Sequence, residues 1–125
     1  MKRLGAALLL LAALCAVSTI CSGEVAEINN RALEGVKNVT RLAESDALDE
    51  ARAAFEETAA EWMQGKSFLE ALLHHETIEH AEELFASCQK AFDVGKEVFL
   101  MEAAKLERTL GTLAKGDEAG AGNIF

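Results

Sequence analysis

The chain has 125 residues, half of them hydrophobic, with no proline or tyrosine and with 21 acidic residues against 12 basic ones, a formal charge of −9. That length supplies one domain and excludes a second, and a composition led by alanine, glutamate and leucine is that of long helices and not of sheet. The acids all lie from Glu24 onward, so the part after Gly23 holds 10 basic residues against 21 acidic ones, a net −11; such a surface repels phosphate backbones and anionic headgroups, which excludes nucleic-acid binding and suits an unknown, basic protein partner or simple solubility.

Residues 1–23 have the three parts of a signal peptide: a basic start at Lys2 and Arg3, an apolar run from Leu4 to Val17, and small residues ahead of Glu24. The run is about 14 residues, short of the roughly 20 that span a bilayer as a helix. The expectation is therefore cleavage after Gly23, with other sites between Ser18 and Gly23 as alternatives, and no permanent membrane span. Lipidation is disfavoured because Leu14 and Ile20 precede Cys15 and Cys21, where a small residue is wanted.

From Val25 the apolar residues Val25, Ile28, Ala32, Val36, Val39 and Ala43 form one stripe at 100° per residue. This predicts an amphipathic helix, weakened at Gly35. Ser45 and Asp46 read as its end and as the N-cap of a second helix, with Asp49 and Glu50 in the first turn where the dipole favours acids. That helix turns Leu48, Ala51, Phe55, Ala59 and Trp62 inward and Asp49, Glu50, Glu57 and Glu61 outward. Gly65 then reads as a C-terminal cap, and Ser67 with Glu70 as the capping box of a third helix.

Beyond Ser67, Ala71, Ile78, Phe85, Phe92, Phe99, Leu106 and Leu113 recur every seven residues, and Ala81, Leu84, Cys88, Ala91 and Val98 fill the same stripe. The phase continues through Gly95, which favours one long helix over residues 67–114. The fold expected is all-α, an antiparallel three-helix bundle over residues 24–115, with a four-helix bundle as the alternative if the chain turns near Gly95. Residues 116–125, rich in glycine, read as a flexible tail.

The candidate chemistry is sparse. His74, His75 and His80 sit in one seven-residue stretch with Glu76 and Glu79. A zincin pair needs histidines at i and i+4, and Glu79 stands where the second belongs. His75 with Glu79 and Glu76 with His80 each offer two ligands one turn apart, but carboxylate-bridged bundle sites draw further ligands from other helices, so neither a metal nor any other cofactor is expected. His74 falls inside the apolar stripe, as a core histidine or as a pH-sensitive element. Gly65-Lys66-Ser67 imitates the end of a phosphate-binding loop, yet Ala60 replaces its first glycine and no strand precedes it. Asn38-Val39-Thr40 is an N-glycosylation sequon, with Asn38 opposite the apolar stripe. Cys88, between Phe85 and Phe92, is expected to be a buried free thiol. No catalytic residue set is legible.

The leader ending Ala-Val-Ser-Thr-Ile-Cys-Ser-Gly, followed by alanine- and glutamate-rich helices, resembles the small helical-bundle surface proteins of trypanosomatid parasites, the alanine-rich coat and receptor class. The resemblance implies a surface role and usually a C-terminal glycolipid anchor; no hydrophobic tail follows residues 120–123 in this sequence, so the expectation is either a released chain or a truncated relative of an anchored one. The function expected is that of a secreted or surface-exposed, non-enzymatic bundle acting through protein contacts; the alternative is a small metal- or ligand-binding bundle using residues 74–80.

Overall fold

The computed structural model describes residues 2–72 and 75–115, which are helical almost throughout. Four helices follow one another among them: α1 (Lys2–Glu44), α2 (Leu48–Leu72), α3 (His75–Val94) and α4 (Lys96–Ala114). The class is all-α, but the single long third helix is not what the chain forms.

Side-chain pairings give the order and sense of the helices. Trp62 on α2 meets Asn29 on α1, and Thr58 meets Gly35, so α1 and α2 are antiparallel. Arg52, Glu56 and Lys66 on α2 meet Asp93, Gln89 and Glu82 on α3, again antiparallel. Phe92 stacks on Phe99 across Gly95 with ring centroids 4.1 Å apart, which folds α4 back along α3. Thr40 bonds Glu107, and Lys96 reaches both the Glu44 carbonyl and Asp46, closing α4 onto α1. The result is an up-down-up-down bundle.

Each turn has a local cause. The chain leaves α1 through a Schellman motif: the Ala47 N–H donates to the Leu42 carbonyl and the Asp46 N–H to the Ala43 carbonyl, each at 3.0 Å, with Asp46 at φ 64°. Asp46 is thus the left-handed residue that closes α1, not the N-cap of α2 expected from sequence; α2 opens on the Ala47 carbonyl, which accepts from the Ala51 N–H at 2.9 Å. Asp49 and Glu50 do occupy its first turn.

The expected boundary at residues 64–67 is absent, because α2 runs through Gly65 to Leu72. Gly65 serves packing instead of capping. A β-carbon there would lie 3.0 Å from Ile28 Cγ2, and one on Gly35 would lie 2.5 Å from Thr58 Oγ1. One glycine on each helix lets α1 and α2 approach closely, which offsets the helix propensity each one sacrifices.

Gly95 alone separates α3 from α4. Its φ of 157° and ψ of 165° belong to a region essentially restricted to glycine. Its N–H still donates to Ala91 and its carbonyl accepts from Phe99, so both helices keep their bonding up to the break. The heptad phase runs through the turn because both helices face one core; phase reports which face is buried, not whether the axis continues.

That core is centred on Phe55, whose ring lies 5.8 Å from Phe85, 5.8 Å from Phe92 and 6.0 Å from Phe99, with Trp62 5.0 Å from Phe85. Ile78, Leu106 and Leu113 are buried as the heptad requires, while Ala71 is exposed. Burial of this aromatic and aliphatic surface is the main stabilising term, at about 1.5–3 kcal/mol per large side chain.

Candidate functional site

The first candidate is the leader half of α1. Every residue from Lys2 to Ile20 is exposed, including Leu9 at 75 % and Ile20 at 70 %, and among the described side chains Val25 is the first that is buried. The helix passes without a break through residues 18–24, where cleavage is expected. It also holds an 18-residue stretch long and apolar enough to cross a membrane, none of it buried; the uncharged segment continues past Val17 to Gly23. Cys15 is an exposed free thiol on it.

The histidine stretch is only partly within view. His74 lies outside the described residues, and so do residues 116–125 and the side chain of Cys21. His75 Nε2 pairs with Glu79 Oε1 at 2.8 Å, but both are exposed, so the contact is a helix-surface pair worth a few tenths of a kcal/mol. Among the described residues no group of three or more histidine, cysteine or acidic side chains is placed to hold a metal ion.

Cys88 is fully buried and free. Burial pushes its thiol up to about 12, with the nearby Glu102 carboxylate adding to the effect and Lys105 opposing it. The thiolate, the reactive form, is therefore scarce at neutral pH.

Asn38 is exposed on the outer face of α1, Val39 is fully buried, and the Thr40 hydroxyl donates to Glu107 Oε1 at 3.1 Å. The acidic residues Asp49, Glu50, Glu57 and Glu61 are exposed as expected. Lys66 lies between Glu82 at 2.6 Å and Glu70 at 3.5 Å; its hydrogen bond to Glu82 holds its ammonium above the usual lysine range.

Sequence reasoning missed Asn29. Its side chain is fully buried, with Nδ2 donating to the Val25 carbonyl at 3.0 Å and Oδ1 accepting from Trp62 Nε1 at 3.2 Å. A buried amide that must meet one indole defines the register of α1 against α2, as a single polar residue does in a coiled-coil seam. The signal was present: Asn29 stands four residues after Val25 and three before Ala32, inside the stripe. Above this pair a shallow groove of about 190 Å³ is lined by Ile28, Arg31, Ala32, Glu61, Trp62 and Gln64. Arg31 is held by Glu27 at its rim.

No protein-family model, curated protein or solved structure matches this chain.

Proposed function

We propose that the chain is a secretory precursor whose mature part, beginning near Glu24, is a non-enzymatic helical bundle acting through protein contacts outside the cell or at its surface. The observation that carries this reading is where burial stops. Residues 2–20 bury nothing, and from Val25 the bundle is complete without them. An apolar segment behind a basic start, attached to a self-sufficient domain but not packed on it, suits removal after targeting. Four turns of acidic surface on α2 and a net charge of −11 in residues 24–125 favour a basic partner.

A second reading, a retained signal anchor, is favoured by the apolar stretch of α1. The 20 uncharged residues from Leu4 to Gly23 make a helix of about 30 Å, which matches the hydrocarbon core. Fractionation of the native source with an antibody to the bundle separates the two. The mature chain is expected in the medium or released from membranes by alkaline carbonate; a chain that resists carbonate and is released only by detergent supports the anchor, and a chain in the cytosol contradicts both.

A further inference from the structure

Residues 38–40 read Asn-Val-Thr, and the fold sends the three side chains to three environments: Asn38 to the outer surface, Val39 into the core, and Thr40 onto Glu107 of α4. At 100° per residue, Asn38 and Thr40 stand about 200° apart around α1. The folded helix cannot present the amide of one and the hydroxyl of the other to a single active site. In an extended chain, side chains at i and i+2 line the same face, so a transferase that reads both residues of the sequon requires this segment unfolded.

We propose that Asn38 is N-glycosylated, and that the transfer is confined to the nascent chain, before α1 forms and α4 closes over Thr40. The proposal rests on the secretory reading, because the enzyme and its donor face the lumen. The donor is an oligosaccharide on a polyisoprenyl pyrophosphate. Asn38 Nδ2 bonds to the anomeric carbon as that carbon's bond to the pyrophosphate oxygen breaks; the amide nitrogen gives its proton to a base of the transferase, and the carrier leaves as the pyrophosphate. Glu107 is synthesised 67 residues after Thr40, which at about 5–20 residues per second leaves roughly 3–13 s. The glycan then occupies the outer face of α1 and displaces nothing from the core, since Asn38 is exposed.

Translation of the full chain with eukaryotic microsomes tests this. The protected product is expected to show one upward step in gel mobility, removed by a peptide N-glycosidase, absent from Asn38→Gln and Thr40→Ala, and retained in Thr40→Ser. The purified, folded, sugar-free chain, given to detergent-opened microsomes with the same donor, is expected to stay unmodified. A protected, leader-cleaved product without sugar overturns this inference and leaves the secretory reading intact. Modification of the folded chain as fast as of the nascent one overturns the timing. A chain left outside the microsomes overturns both readings together.

Discussion

The two ends of α1 share one helix and meet opposite fates. Between Leu4 and Val17 the side chains are apolar on every side, and all are exposed; between Val25 and Ala43 apolar residues occupy a single stripe, and Val25, Ala32, Val36, Val39 and Ala43 are buried. The leader half is the more hydrophobic, yet it builds no core. Burial in a small bundle follows the periodicity of apolar residues, because only a one-sided helix can face its partners and water together. A helix apolar all round needs a different solvent, which is what a translocation pore or a bilayer supplies.

The largest expected contrast between the halves is in stability. Phe55→Ala empties a site that touches three other rings and is expected to cost about 3–5 kcal/mol. Leu9→Ala, in the exposed leader, is expected to leave the denaturant midpoint of the bundle unchanged. A fall in stability for Leu9→Ala comparable with that of Phe55→Ala shows that the leader packs on the bundle.

Two of the three cysteines, Cys15 and Cys88, extend the comparison to chemistry. Exposed Cys15 is expected to react with a thiol reagent at once in the uncleaved chain, and buried Cys88 only on unfolding. Cys88 also couples stability to pH. Its ordinary value is 9.0 and its folded value about 12, so the unfolded chain loses the proton first. The stabilisation is therefore complete below about pH 9 and is lost as pH rises toward 12, at up to about 1.4 kcal/mol per pH unit. Denaturant curves between pH 8 and 11 are expected to converge on those of Cys88→Ala as the pH climbs; parallel curves contradict the burial of the thiol.

A smaller effect probes how closely α1 and α2 approach. Gly35→Ala places a β-carbon against Thr58, an overpacking cost of about 1–3 kcal/mol set against about 1 kcal/mol gained in helix propensity. The single variant is expected to be destabilised, and Gly35→Ala with Thr58→Ala to recover much of the loss. A stabilised single variant shows that the helices stand further apart.

The all-α class, most of the core face of each helix and the burial of Cys88 were legible from periodicity, which constrains faces strongly; Leu48, expected inward, is exposed because it stands at the first turn of α2, beyond the packed length of the bundle core. The ends of helices were less so. Gly65 and Gly95 look alike in sequence, yet one is a close-packing residue inside α2 and the other reverses the chain. What separates them is the neighbour across the interface, Ile28 for Gly65 and open space for Gly95, and that is tertiary information. Asp46 was placed at the right turn but in the wrong role, since the acid that caps one helix and the acid that ends another occupy neighbouring positions. The position of Asn29 inside the stripe is legible, but its role in setting the register of α1 against α2 depends on the Trp62 indole across the interface.

The division of α1 at residues 23–25 is most directly tested by the mass of the native protein's N-terminal peptide. A mature chain beginning at or near Glu24 is the expected result, with the bundle intact from Val25. Native protein that retains Met1 to Gly23 contradicts the precursor reading and leaves the exposed apolar half of α1 as a permanent part of the molecule.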